Sequence, residues 1–424
     1  MNKQTRQNEK QLPKKLREKS QLGPYPMEKL KQVDEPTTKI VGEIERFDES
    51  NTGFNKAFRG DYGDTIGGME FRYLEKSIMS YFFNQGKGKS GFSGNSFDKS
   101  MDPEKIAKMK AMFSSGGGSP MKSFPPDMQI GKGSPQELHP DLAVVSRHIK
   151  SYGYFMGADV MGICRVPDYA YYSHDKDGNP VEKKYEYAIL IVVDQDYDTM
   201  KGSSGRDWIS GAQSLGAYSK SAFIAAALAR YIQFLGHEAK DNNSRDYQVV
   251  VPPLLLLAGI GEIARNGIVL NPYLGMRFKA ALVLTNMPME VDKPIDFGLQ
   301  DFCKKCKKCA TCCPPKAISP DDDLIIHNGY ERYTFNVDSC TKFRLGNPNG
   351  SSCGTCIKVC PFNKPRGILH DIVRWMIQYM PFMNDLIVKA DDLLRYGEAN
   401  YDDQWWFDPE TKPKKEKSFD TQGN

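Results

Sequence analysis

The sequence contains no run of about 18 apolar residues, the length that a membrane-spanning helix needs. Its longest apolar run, Val249 to Gly261, is interrupted by Pro252 and Pro253. The first residues have neither an apolar core nor a twin-arginine pair, as expected of a mature form after leader removal. A net charge of +4 in 424 residues is close to balanced. No nucleic-acid partner is therefore expected.

Cysteine is used in two regular runs, each ending in Cys-Pro. They are Cys303-x2-Cys306-x2-Cys309-x3-Cys313-Pro314 and Cys340-x12-Cys353-x2-Cys356-x3-Cys360-Pro361. Thiolates two residues apart can surround one [4Fe–4S] cubane, while the cysteine three residues further on ligates the neighbouring cluster. This crossed pattern predicts two metal sites, one of Cys303, Cys306, Cys309 and Cys360, the other of Cys313, Cys340, Cys353 and Cys356. A zinc ribbon or disulfides explain the runs less well, because zinc sites rarely need the third close cysteine and the trailing Cys-Pro.

Two of the ten cysteines are left over, Cys164 and Cys312. Cys312 stands directly before Cys313, but only Cys313 keeps the spacing of three and precedes a proline. We therefore expect Cys313 to be the ligand. The long gap after Cys340 is rich in turn-forming residues and is expected to be a loop that brings in a distant cysteine.

A two-cluster unit needs only a small part of the chain, so two or three domains are expected. We expect a polar N-terminal region at 1–140, an α/β core at 141–294, a two-cluster domain at 295–366, and a C-terminal segment at 367–424 that packs back on the core. In the core, Tyr187 to Val193 and Lys279 to Thr285 are typical of buried strands. Ala212 to Gly236 and Leu254 to Arg265 are typical of helices.

The helix predicted from Ala212 has one stripe of small and apolar residues at helical spacing, which includes Ala222, Ala225 and Ile232. Tyr218 lies on the same stripe. By pattern alone this tyrosine is better explained as a core residue, whose hydroxyl then needs a hydrogen-bond partner.

Several segments together resemble the catalytic subunits of respiratory reductive dehalogenases. They are SLGAYSKSA, the stretch from LAGIGE through GMRFKAALVLT to DKPIDFG, and the two cysteine runs that follow. The resemblance covers about 142–407. It implies a nitroreductase-like α+β or α/β core that binds a corrinoid, beside a C-terminal ferredoxin-like unit with two [4Fe–4S] clusters.

The resemblance also implies a chemistry. Electrons pass through the clusters to cobalamin or a related corrinoid, which removes halogen from a small organohalide, and a proton completes the replacement. In the family a tyrosine on this helix donates the proton, which points to Tyr218. An arginine in GMRFKAAL points to Arg277, whose guanidinium would stabilise the phenolate. An asparagine after the helix points to Asn242 or Asn243.

The corrinoid itself leaves little trace in the sequence. None of the six histidines lies in an Asp-x-His-x-x-Gly context, which agrees with the base-off binding that the resemblance implies. We expect corrinoid contacts along the glycine-rich segment, at Leu257, Ala258, Gly259, Gly261 and Glu262. Helix packing through small residues is the alternative explanation.

The substrate class stays open, with a chlorinated alkane or alkene favoured. Aromatic residues at Phe71 to Phe83 and at Trp405 and Trp406 are candidates for lining its pocket. The resemblance further implies a low-potential electron donor and a small membrane-anchor subunit at the outer face of the cytoplasmic membrane. The alternatives are a tRNA-modifying enzyme like epoxyqueuosine reductase, and an iron–sulfur protein that only transfers electrons.

Overall fold

The computed structural model describes residues 22–63, 137–244, 246–347 and 352–404. The aromatic residues from Phe71 to Phe83 and Trp405 and Trp406 lie outside the described residues, as does most of the N-terminal region. In the described parts, no helix is long and apolar enough to cross a membrane.

The helices, in chain order, are α1 (Gly53–Arg59), α2 (Leu142–Phe155), α3 (Tyr197–Lys201), α4 (Trp208–Phe234), α5 (Val251–Leu257), α6 (Leu299–Cys306), α7 (Lys308–Thr311), α8 (Val337–Gly346), α9 (Thr355–Lys358), α10 (Ile368–Tyr379) and α11 (Asn384–Leu393). The strands are β1 (Val160–Arg165), β2 (Tyr187–Asp194), β3 (Ala239–Asn242), β4 (Glu262–Ile263), β5 (Val269–Leu270), β6 (Phe278–Thr285), β7 (Leu324–His327) and β8 (Tyr330–Tyr333).

A four-stranded antiparallel sheet in the order β1-β2-β6-β3 forms the centre of the core. Successive side chains of a strand point to opposite faces, and both faces are covered here. In β2, Ile189 and Ile191 pack with the residues of α2 and α4, whereas Leu190 and Val192 pack with those of α5. Burial on both faces explains why β2 is apolar throughout. The mixed helix-and-sheet fold is confirmed.

The sequence located the two long strands and the long helix correctly. The predicted strands become β2 and β6, and the predicted helix becomes α4, which begins one turn earlier than expected. The small residues Ala222, Ala225 and Ala229 are buried on this helix as the stripe required.

The helix predicted over Leu254 to Arg265 is wrong. Helix α5 starts at Val251, with the two prolines in its first turn, and ends at Leu257. Gly259 then adopts φ +65°, and a side chain at Gly261 would meet the backbone oxygen of Leu270. The chain must turn sharply here to enter β4, and glycine allows both the left-handed backbone and the close approach.

The cysteine-bearing unit packs against the core through a separate apolar cluster. Phe302 and Phe362 are in edge-to-face contact there, and Met276 from the core joins them. After Gly367 the chain forms two helices, since α10 ends before Pro381 and α11 follows. Proline at that point cannot continue the hydrogen-bonding pattern of a helix.

Candidate functional site

Four of the predicted ligands surround one small cavity at the joint between core and cysteine-bearing unit. They are Cys303 and Cys306 on α6, Cys309 on α7 and Cys360 after α9. Burial raises the pKa of the Cys303 thiol to about 12 and that of Cys306 to about 11. Metal binding would displace these thiol protons, and four cysteines around one cavity are the donor set that a [4Fe–4S] cluster needs.

The other four predicted ligands, Cys313, Cys340, Cys353 and Cys356, line a second cavity of about 210 Å³. The backbone N–H of Ala317 donates to Cys313 Sγ at 3.3 Å. Burial raises the pKa of Cys340 to about 11 and of Cys356 to about 12. The fold thus brings the outward cysteine of each run to the cavity of the other run, as the crossed pattern predicts.

The two remaining cysteines lie apart from both cavities. Cys312 is exposed, while its neighbour Cys313 is buried. Cys164 is buried in the core, and its thiol donates to the Leu254 carbonyl at 3.6 Å. All ten cysteines are free of disulfides. Among the described residues, no three His, Cys, Asp or Glu side chains converge on one metal ion. This is compatible with cubanes, where each thiolate binds a different iron.

Tyr218 lies on α4, and its side chain is half-buried. The Lys279 ammonium is 5.3 Å from the centre of the tyrosine ring, and Lys279 also lines the second cavity. Burial raises the pKa of Tyr218, an effect that the charge of Arg344 opposes. Burial lowers the pKa of Lys279 to about 8, with a further lowering from Arg344. A protonated phenol therefore lies beside a cation that is charged at neutral pH.

Arg277 does not occupy the position expected of it. Its guanidinium forms a two-pronged ion pair with Asp194, at 2.8 and 3.1 Å, and also donates to Asn363 Oδ1 at 3.1 Å. The side chain is buried with these partners, which satisfies its charge. The cation beside Tyr218 is Lys279, two residues further along the same segment.

Lys279 was the functional candidate that the sequence analysis missed. A lysine inside KAALVLT interrupts an otherwise apolar strand, and a charge on a buried strand usually has a specific reason to be there. That signal was available in the sequence. The partner that gives it meaning, Tyr218, is 61 positions earlier and becomes its neighbour only because α4 packs on β6.

The structure distinguishes the two candidate asparagines. Asn242 ends β3, is fully buried, and its side-chain oxygen accepts from the backbone N–H of Gln248 at 2.7 Å. This bond closes the loop that carries Tyr247. Asn243 is only half-buried, and its backbone oxygen accepts from Asp246 N–H. Asn242 is thus held in the fold, and its contacts are those of a loop-closing residue.

At its glycines the glycine-rich segment is approached closely by the backbone of the protein itself, and its contacts with a corrinoid stay a prediction. A side chain at Gly259 would meet the Lys293 carbonyl oxygen at 2.3 Å, and Ala258 packs beneath Gly162 of β1. Glu262 is buried, and it accepts hydrogen bonds from Thr37 Oγ1 and from the backbone N–H of Phe297. Leu257 is half-buried among the apolar residues of the core. Helix and loop packing explains the small residues.

Gln195, which lines the second cavity, carries a buried acceptor that suits an amide donor. Ser214 Oγ donates to the Ser210 carbonyl at 2.8 Å, so Ser214 must accept from Gln195 Nε2, also at 2.8 Å. Gln195 Oε1 is buried without a hydrogen-bond partner among the described residues. An acceptor needs a donor, and a corrinoid carries primary amides, whereas cluster sulfides are only acceptors. The histidines of the described chain do not line this cavity.

Comparison with known proteins agrees with this geometry. The 4Fe-4S dicluster domain matches residues 302–364. The tetrachloroethene reductive dehalogenase of Dehalobacter restrictus is 31% identical over 261 residues, covering 58% of this chain and 44% of that protein. The solved structure of the catabolic reductive dehalogenase NpRdhA superposes with a TM-score of 0.76 at 34% identity, covering 92% of this chain and 52% of that one.

Epoxyqueuosine reductase of Bacillus subtilis matches less of the chain, with 31% identity over 121 residues, which is 25% of this chain and 27% of that protein. This chain spans about half the length of the reductive dehalogenases that it matches. In sequence and in fold, the chain is a relative of the reductive dehalogenases and carries a 4Fe-4S dicluster domain.

Proposed function

We propose that this chain catalyses corrinoid-dependent reductive dehalogenation of a small organohalide. The observation that carries the proposal is that Lys279, which lines the cavity of the second cysteine group, lies 5.3 Å from the ring centre of Tyr218. An electron carrier and a proton donor then meet in one place, which the net reaction of two electrons and one proton requires. A solved relative is described in terms of B12-dependent dehalogenation.

In this proposal the eight cysteines hold two [4Fe–4S] clusters in the crossed arrangement. Cys303, Cys306, Cys309 and Cys360 hold the first cluster, and Cys313, Cys340, Cys353 and Cys356 hold the second. Lys279 and Gln195 line the cavity of the second group, so a cluster held there would be the one beside the residues assigned to the reaction. A corrinoid, when bound, would supply the low-valent cobalt chemistry that carbon–halogen cleavage needs.

The chain's own residues supply the proton. Burial raises the pKa of Tyr218, so the phenol stays protonated at neutral pH and donates only when a strongly basic carbon is formed. The Lys279 ammonium near the ring stabilises the phenolate that remains. We assign to Lys279 the role that the sequence suggested for Arg277, and to Asn242 the positioning of the Tyr247 loop.

The substrate class proposed is a chlorinated alkane or alkene. The relative from Dehalobacter restrictus is named for tetrachloroethene. NpRdhA, in contrast, has been solved with a halogenated aromatic acid, 3-bromo-4-hydroxybenzoic acid. A small substrate without an acid group needs no cationic anchor, and Lys279 is then available to act on Tyr218.

We also propose that the chain works at the outer face of the cytoplasmic membrane, with a small membrane-anchor subunit and a low-potential electron donor as partners. The support is an apolar surface on α10, where Ile368, Ile372, Trp375 and Tyr379 are exposed at helical spacing while Ile377 is buried against the cysteine-bearing unit. An exposed apolar stripe of this length is typical of a protein-binding surface.

The test is anaerobic reconstitution with iron, sulfide and cobalamin, followed by metal analysis and assay on a panel of organohalides with a reduced low-potential dye. About eight irons and one cobalt per chain are expected. Halide release and a product with hydrogen in place of halogen are the expected outcome. Loaded protein that releases no halide from any class of organohalide, or protein that binds no cobalt, would overturn the proposal. Turnover of an epoxyqueuosine-containing RNA instead would support the tRNA-modifying alternative.

A further inference from the structure

Arg344 lies on the wall of the second cysteine cavity, and the proposed chemistry gives it no role. It is on α8, four residues after the predicted ligand Cys340. Residues four apart lie on one face of a helix, so the arginine side chain and the thiol are neighbours. Both residues line the same cavity together with Lys279.

The guanidinium of Arg344 is oriented but not satisfied. It lies over the ring of Phe54, 4.7 Å from the ring centre, which fixes its plane. Its Nε is buried and has no hydrogen-bond partner among the described residues. A buried N–H without an acceptor costs free energy, so an acceptor is expected in the cavity.

The cations at the two cavities are neutralised differently. At the first cavity, Arg265 pairs with Asp322 at 2.7 Å, and Lys307 pairs with the same carboxylate at 2.8 Å. At the second cavity, Arg344 and Lys279 have no carboxylate among the residues that line it. Four thiolates and the sulfides of a cluster supply both the missing negative charge and the missing acceptors.

We propose that Arg344 donates Nε–H to the second cluster and that its unpaired charge raises the reduction potential of this cluster above that of the first. The inference rests on the cluster ligands proposed above. A nearby positive charge stabilises the reduced cluster, which carries one more electron and hence one more negative charge. Each electron from an external low-potential donor then reduces the first cluster and passes to the second, which is reduced as the first is reoxidised.

The experiment is a mediated reductive titration with dithionite, followed by the electron paramagnetic resonance of the two reduced clusters, on protein without cobalamin. The variants are Arg344→Gln, Arg344→Lys and the matched control Lys342→Gln, which removes an exposed positive charge from the same helix. The Cys313→Ser variant identifies which signal belongs to the second cluster.

In Arg344→Gln we expect the reduced-to-oxidised ratio of the second cluster to fall about tenfold at the wild-type midpoint, a shift of about 59 mV for a one-electron couple. The first cluster should keep its midpoint. In Arg344→Lys, which retains the charge, the midpoint potential of the second cluster should stay close to the wild-type value. Lys342→Gln should titrate like the wild type.

Equal shifts of both clusters, no shift in Arg344→Gln, or the same shift in Lys342→Gln would each overturn the proposal. If Arg344→Gln loses iron, the Arg344→Lys variant provides the test. A tenfold fall in the reduced-to-oxidised ratio of its second cluster, with the charge retained, would contradict the role of that charge. These readouts need neither cobalamin nor substrate. An inactive but correctly titrating protein would therefore count against the proposed function and not against Arg344.

Discussion

Replacement of Lys279 by glutamine tests the pairing of Lys279 with Tyr218 directly. The ammonium is 5.3 Å from the ring centre of Tyr218. A unit charge at that separation stabilises a phenolate by about 3 kcal/mol if the effective dielectric constant is about 20. Because each ~1.36 kcal/mol is tenfold in rate, kcat/KM for dehalogenation should fall roughly hundredfold in Lys279→Gln. Cobalt and iron contents should stay at wild-type values.

The pH dependence supplies an independent check on the same pair. Burial lowers the pKa of Lys279 to about 8 from its ordinary value of 10.5. The ammonium is therefore present below about pH 8, and its help to Tyr218 is lost as the pH rises through that value. Wild-type activity should decline above about pH 8, and Lys279→Arg should abolish this decline because an arginine remains charged.

The matched control is Lys184→Gln, because Lys184 lies 5.5 Å from the ring of Tyr185 in a similar lysine–tyrosine pair at the surface. It should leave kcat/KM unchanged. A Lys279→Gln protein with full metal content and activity within about threefold of the wild type would refute the assignment of Lys279. The assignment would also be refuted if the activity of Lys279→Arg declined above about pH 8 in the same way as that of the wild type.

Three further outcomes are expected. Tyr218→Phe keeps the ring but removes the proton, so turnover should fall by about 10²–10⁴ with both clusters and cobalt retained, and near wild-type turnover would show that another group supplies the proton. Iron analysis and spectroscopy should show loss of the second cluster in Cys313→Ser but not in Cys312→Ser, where the replaced thiol is exposed. The reverse result would show that Cys312 is the ligand and Cys313 is not. Polar substitution of Trp375 and Tyr379 should reduce recovery of the chain with membranes that contain its anchor, and unchanged recovery would exclude α10 as the docking surface.

The sequence alone predicted the two cysteine groups that the fold brings together, because the spacing of cluster ligands follows a regular pattern. Spacings of two and three residues determine which thiols can reach one cubane, and the proline after Cys313 separated it from Cys312. The strands β2 and β6 and the helix α4 were equally predictable, since burial on a known side imposes a period of two or of 3.6 residues on the sequence.

The partner of Tyr218 required the tertiary structure. Arg277 and Lys279 are two residues apart, and either cation suits a phenolate by chemistry alone. Only the packing of β2 against β6 shows that Asp194 already neutralises Arg277, and only the packing of α4 on β6 places Lys279 near the tyrosine. Charges act through space, and a sequence states the distance along the chain but not the distance between side chains.

The glycine-rich segment is a second case in which the sequence does not identify the spatial neighbours of a residue. Gly259 and Gly261 have the composition of a ligand cradle and also that of a tight turn, because both require a residue without a side chain. The carbonyl oxygens of Lys293 and Leu270 fill the space where a side chain would stand, so internal packing by itself accounts for glycine at these positions. The sequence determined that backbone would come close at these glycines, and the fold decided that the approaching atoms belong to the protein itself.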